Sequence, residues 1–195
     1  MAAARAQNPL AMIQIRVHGR GGQGVVTAAE LLSSAAFLEG RHAQAFPSFG
    51  SERTGAPVVA FCRIDDRPIR SREPIAQPDA LIVQDPTLLH QVDVFGGVRR
   101  GAHVLINTGR SVAELGLEDV LERFVLVTLP ATDLAREHLG RPLPGAPLLG
   151  GFAAITGALT IDSLAAAIRE RFPGALGEAN VAAARAAYEL EPAHA

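Results

Sequence analysis

The sequence predicts an α/β protein: a Rossmann-like three-layer sandwich around a mostly parallel, partly mixed central sheet. Three observations carry this. First, Ile13, Ile15 and Val17 alternate in Met12–His18, a strand pattern, and Gly19-Arg20-Gly21-Gly22-Gln23-Gly24 ends it. Val25 to Leu38 then place apolar residues at helical spacing, so a glycine loop joins a strand to a helix. Second, short apolar runs at 80–83, 102–107 and 124–129 alternate with helical patterns, as in a parallel sheet covered by helices. Third, a strand at 43–50 and the β-rich run 56–64 (APVVAFCRI) are separated only by the polar loop 51–55. That gap is too short for a crossover helix, so the two form a hairpin-like pair and make the sheet mixed.

The remaining elements follow in order. Gly40 is a candidate C-terminal cap for the first helix. Short helices are expected over 87–95, 117–123 and 131–139. Arg141 to Pro147 holds three prolines and cannot be a helix interior. Leu148 to Leu159 is small and apolar on all sides, which reads as a buried helix able to approach a neighbour closely and to add to an apolar subunit contact. Asp162 is a candidate cap for a helix over 163–172. A last amphipathic helix over 176–190 turns Val181, Ala184, Ala187 and Tyr188 inward. Residues 1–11 read as a frayed tail and 12–191 as a single domain.

With 195 residues, 48% of them hydrophobic, the chain is long and apolar enough to bury a sizeable core. A net charge of −2 argues against nucleic acid as a partner. All basic residues are Arg, for which a GC-rich genome is the bland explanation. No apolar run approaches the roughly 20 residues of a membrane span, and the N-terminus lacks a signal-peptide core, so a cytoplasmic protein with no membrane partner is expected. Cys62 is the only cysteine, and one thiol builds no disulfide, zinc knuckle or iron–sulfur cluster. Within an apolar strand it reads as an inert core thiol.

Gly19, Gly21 and Gly24 fit G-x-G-x-x-G, which brings backbone N–H groups against a pyrophosphate at a helix N-terminus. An NAD site also expects a carboxylate about 20 residues further on, at the end of the second strand. That region reads Arg41-His42-Ala43-Gln44-Ala45-Phe46, and the nearest acid is Glu39, before the turn. The loop is therefore either an anion cradle or a tight turn packed on another subunit. Arg20 is either a phosphate fork or an interface salt bridge. The loop from Ser48 to Gly55, with Glu52 and Arg53, reads as facing a subunit or an active site. His18 reads as a hydrogen-bonded structural residue. Asp85 and Asn107 end strands where ligands gather, and both equally suit capping.

Two strings, Gly19-Arg20-Gly21-Gly22-Gln23-Gly24-Val25-Val26-Thr27-Ala28 and Ala45 to Val58 (AFPSFGSERTGAPV), resemble the gamma subunit of the pyruvate/2-ketoisovalerate type of 2-oxoacid:acceptor oxidoreductases. Pro78-Asp79, Asp85-Pro86-Thr87-Leu88-Leu89, Asn107-Thr108 and Asn180 fit the same pattern, which spans residues 13–190. One departure is Gly145-Ala146-Pro147, where family members often carry an Asn.

The resemblance implies a multi-subunit enzyme that decarboxylates a 2-oxoacid, such as pyruvate or phenylglyoxylate, on thiamine diphosphate. Electrons pass through 4Fe–4S clusters to ferredoxin or an NAD-reducing subunit, and an acyl-CoA is released. The chain has no G-D-G…N thiamine-diphosphate signature and too few cysteines for a cluster, so both groups are expected in alpha-, beta- and delta-type (ferredoxin-like) partners. The gamma chain is expected to hold no cofactor alone and to carry no catalytic or metal-binding residue. Its implied share is assembly and part of the coenzyme A site, with Gly19, Arg20, Gly21, Gly22, Gln23, Gly24, Ser51, Glu52 and Arg53 as candidate contacts. The rivals are a ligand-free scaffold subunit of the same complex and a free-standing NAD(P)-binding protein.

Overall fold

The computed structural model describes residues 12–48 and 54–190, together with the backbone of 193–194. The expected tail at 1–11, and Ser51, Glu52 and Arg53, lie outside the described residues.

The strands are β1 (Ile13–Arg20), β2 (His42–Pro47), β3 (Pro57–Asp65), β4 (Ala80–Val83), β5 (His103–Asn107), β6 (Val125–Leu129) and β7 (Ala193–His194). They form one sheet in the order β2-β3-β1-β4-β5-β6-β7. β1, β4, β5 and β6 are mutually parallel neighbours. β3 runs antiparallel to both β2 and β1, and β7 antiparallel to β6. The sheet is thus mixed, and the β2–β3 hairpin is present. Its placement is the unexpected part: β3 is wedged between β1 and β2, so the β1–helix–β2 crossover skips a strand.

The helices are α1 (Val25–Leu38), α2 (Glu118–Leu121), α3 (Ala131–Leu139), α4 (Gly145–Thr156), α5 (Ile161–Arg171) and α6 (Ala175–Glu189). Alternation along each strand divides the core. Ile15, Val17, Ile82, Leu105 and Val127 face the long helices α1 and α3–α6. Leu81, Val83, Val104, Ile106 and Leu126 face a second layer built from α2 and short turns of residues 86–124.

Several local expectations are corrected. Residues 87–95 make only a 3-10 turn, Pro86–His90, because the Asp85 side chain caps it through Thr87 N and the chain turns again soon after. Pro147 sits within the first turn of α4, where its missing N–H leaves no helical bond unmade. That helix stops at Thr156, whose hydroxyl donates back to Phe152 O and accepts from Ala158 N. Thr160, not Asp162, caps α5 by accepting from Ser163 N, while Asp162 instead pairs with Arg185. Tyr188 is not inward but 38% exposed.

The small residues of α4 pack into the chain's own interior. Leu148, Leu149, Phe152 and Ala153 are buried, and Gly150 lies so close to α6 that a Cβ on it would sit 1.9 Å from Ala184 O.

Candidate functional site

The glycine loop follows β1 at the edge where the parallel strands end. Gly22 and Gly24 adopt φ of 91° and 73°, which residues with a Cβ rarely adopt. Gly21 N donates to Ala56 O at 2.9 Å, and Gly55 N donates to Gly21 O at 3.1 Å. These bonds staple the loop to the start of β3, and Gly21 also bridges Thr54. The glycine loop therefore meets Thr54 and Gly55, the described end of the second stretch singled out in the sequence.

Arg20 is committed within the chain. Its Nε donates to Asp85 Oδ2 at 3.0 Å. Its two terminal nitrogens donate to Gly55 O, Thr87 Oγ1 and Gln91 Oε1. Gln23 completes the clamp: its Oε1 accepts from Arg20 N, and its Nε2 donates to Asp85 Oδ2. Burial pushes the Asp85 carboxyl up. The hydrogen bonds from Thr87 and Gln23 and the charge of Arg20 outweigh it and hold the group below its ordinary value. Asp85 thus locks the loop after β1 to the turn after β4. The ion pair that the structure displays for Arg20 lies inside the chain, an arrangement that neither sequence reading, phosphate fork or interface salt bridge, anticipated.

With its side chains tied back, the loop presents main chain. The first helical bond of α1 runs from Ala28 N to Gly24 O, so the amides of Val25, Val26 and Thr27 have no acceptor among the described residues. No acidic side chain lies in that first turn. Unbonded amides at a helix N-terminus favour an anion.

The geometry is unlike a dinucleotide site. Because β3 separates β2 from β1, the end of the second crossover strand is displaced by one strand from the loop. Glu39 is used elsewhere: its Oε1 accepts from Thr160 N, Thr160 Oγ1 and Ser163 Oγ, tying α1 to α5.

The neighbouring strand ends carry polar groups. Asn107 donates to Gln84 O and accepts from Thr132 N, so it caps α3 across the sheet edge. Gln84, which the sequence reading missed, is 1% exposed, and neither of its amide atoms has a partner among the described residues. Its only sequence signal was a polar residue directly after the apolar run 80–83. Cys62 is buried, which pushes its thiol up to about 12 and leaves it protonated.

His18 is buried, but its Nε2 lacks the expected partner among the described residues. Burial, and then the charge of Arg16, lower it from the ordinary value of 6.5 to about 4. It therefore folds neutral. Between those two values the unfolded chain holds a proton that the native chain does not, so stability falls on acidification from 6.5 towards 4. The ceiling on this loss is about 3 kcal/mol. His103, also lowered by burial, acts in the same direction. Denaturant unfolding at pH 7 and pH 4.5 measures the loss, and His18→Gln should reduce it; an unchanged pH dependence would mean His18 charges freely in the fold.

The sheet and its glycine loop define a Rossmann-like α/β protein. Residues 14–190 match the family described as pyruvate ferredoxin/flavodoxin oxidoreductase. The chain is 50% identical over 178 residues to a pyruvate synthase subunit PorC from Methanothermobacter marburgensis, covering 91% of this chain and 97% of that one. It is 49% identical to a pyruvate/ketoisovalerate oxidoreductases common subunit gamma from Thermococcus litoralis, covering 91% and 96%. Among solved structures, pyruvate oxidoreductase subunit PORC from Thermotoga maritima matches with a TM-score of 0.78 at 33% identity, covering 91% and 96%. The chain belongs to this family, as a gamma-type subunit. Family membership implies a multi-subunit oxidoreductase complex. Among the described residues no group of three or more His, Cys, Asp or Glu converges as a metal site would. None of their helices is long and apolar enough to cross a membrane.

Proposed function

We propose that this gamma subunit contributes assembly and part of the coenzyme A site in a complex that oxidatively decarboxylates a 2-oxoacid, pyruvate or a related acid such as phenylglyoxylate, to an acyl-CoA. The reading rests on one observation: a clamped glycine loop that leaves three helix-terminal amides without an acceptor among the described residues. Those donors suit a phosphate group of the coenzyme. In this reading Arg20 and Gln23 hold the loop in shape, and Ser51, Glu52 and Arg53 are further candidate contacts of the coenzyme. Thiamine diphosphate and 4Fe–4S clusters belong to alpha-, beta- and delta-type partners, with ferredoxin or an NAD-reducing subunit as acceptor. A relative described as common to pyruvate and ketoisovalerate oxidoreductases supports placing the choice of 2-oxoacid on other chains.

In the assembled complex, Arg53→Ala should raise KM for coenzyme A roughly tenfold or more, the loss of one charge-assisted hydrogen bond. KM for the 2-oxoacid should stay nearly unchanged. Steady-state kinetics with each substrate varied in turn measures both. Normal coenzyme A kinetics in an intact complex would favour the scaffold role, and a shift confined to the 2-oxoacid would place this chain at the thiamine pocket.

A further inference from the structure

A half-open cleft of about 260 Å³ runs along the helical face from the glycine loop. Its walls come from α1 (Thr27, Leu31), the α3–α4 connection (Arg141, Leu143) and the α5–α6 junction (Phe172, Leu176). Leu143 and Leu176 stand on its rim at 40% and 50% exposure. The lining is dominated by carbon, yet the polar groups of Arg141 and Asn180 open on it. The Arg141 guanidinium has no ion-pair or hydrogen-bond partner among the described residues. No acidic side chain among the described residues lines the cleft. Asn180 donates from its Nδ2 to Leu176 O, and no donor among the described residues reaches its oxygen.

We infer that this cleft docks a segment of a partner subunit, one that seats an apolar side chain in the cleft and places a carboxylate on Arg141. The cleft is small, about 260 Å³, at the lower edge of the roughly 300–1,000 Å³ typical of small-molecule sites. It fits one or two side chains, as anchor pockets at interfaces do. Charge decides the chemistry of the occupant. An unpaired Arg at the mouth, with no acid beside it, is complementary to a carboxylate, and Arg is a residue on which binding energy concentrates. The free Asn180 oxygen takes a main-chain N–H of an extended segment. Rim leucines left half in water by this chain alone are covered in the complex. The inference rests on membership of a multi-subunit family, not on the coenzyme A reading.

The test uses the chain co-expressed with the other subunits of its complex. Leu176→Asp and Arg141→Glu alter exposed side chains and should leave the thermal melt of the purified chain near that of the wild type. Each should weaken association with the partner subunits at least about tenfold, while Arg141→Lys stays within a few-fold of wild type. A photo-crosslinking residue at 176 should capture a peptide of a partner subunit that contains Asp, Glu or a chain terminus near the crosslink. Normal assembly of both variants, or a crosslinked peptide without a carboxylate, overturns the inference. So does an intact complex whose only defect is a raised KM for coenzyme A, which would give the cleft to the coenzyme. Arg53→Ala tests the coenzyme reading through a different residue and a kinetic readout rather than assembly, so the two can fail independently.

Discussion

Gly150→Ala should destabilise the chain by about 3 kcal/mol, and Gly150→Val should prevent it from folding. Replacing Gly by Ala inside a helix ordinarily gains about 1 kcal/mol, so the expected sign is reversed. The reason is backbone contact. A Cβ at Gly150 would lie 1.9 Å from Ala184 O and 2.7 Å from its carbonyl carbon, and neither can swing aside as a side chain can. α4 and α6 would have to separate, disturbing a core cluster to which α4 gives Leu148, Leu149 and Phe152 and α6 gives Val181 and Ala184. Total stabilities of about 5–15 kcal/mol leave little room for the bulkier Val. Gly145→Ala is the control within the same helix, because its added carbon meets nothing nearer than Gln84 Nε2 at 3.8 Å. Denaturant unfolding of Gly145→Ala and Gly150→Ala, with soluble yield for Gly150→Val, decides the matter. Equal stability of the two alanine variants would mean that the helices can part without cost.

The contrast between those glycines shows where sequence reasoning reached its limit. Period and composition identify α4 as buried, because it is apolar on every side. They do not say what it is buried against, and the small residues suited a subunit contact as well as α6. The β2–β3 hairpin was legible from a connection too short for a crossover. Its insertion beside β1 was not, since strand order is settled by long-range pairing such as Ile15 with Cys62. At the site, the spacing of Gly19, Gly21 and Gly24 and the strand before them made the loop legible. The engagement of Arg20 was not, because Asp85, Thr87 and Gln91 lie 65, 67 and 71 residues away. A still longer separation hides the role of Glu39: it is the nearest acid to the missing ribose carboxylate in sequence, and it is spent on Thr160 and Ser163, 121 and 124 residues away.

Asp85→Ala should cost about 2–4 kcal/mol of stability and, in the assembled complex, weaken coenzyme A binding without a direct contact being removed. One Asp85 oxygen accepts from Arg20 Nε and Gln23 Nε2, and the other from Thr87 N and Thr87 Oγ1. The Asp85 side chain is only 13% exposed and that of Arg20 22%, so water replaces these bonds poorly. Arg20 keeps Gly55, Thr87 and Gln91, which limits the loss. Arg99→Ala is the measure of an ordinary pair: its partner is Asp79 and its side chain is 48% exposed, so it should cost under about 1 kcal/mol. Asp85→Asn places an N–H₂ among donors and should recover only part of the stability. Protonation should mimic the mutation. Because Asp85 is held below the ordinary 3.8, its stabilisation is present above that value and is lost as pH falls through the depressed one. The wild type should therefore lose more stability than Asp85→Ala below about pH 4, under the window in which His18 acts. Thermal melts of the three variants across pH 3–7, with KM for coenzyme A at neutral pH, provide the readouts. A clamp that matters gives paired losses in loop-dependent binding and in stability; a variant that melts with the wild type and binds coenzyme A normally would show that the glycine loop holds its shape without Asp85.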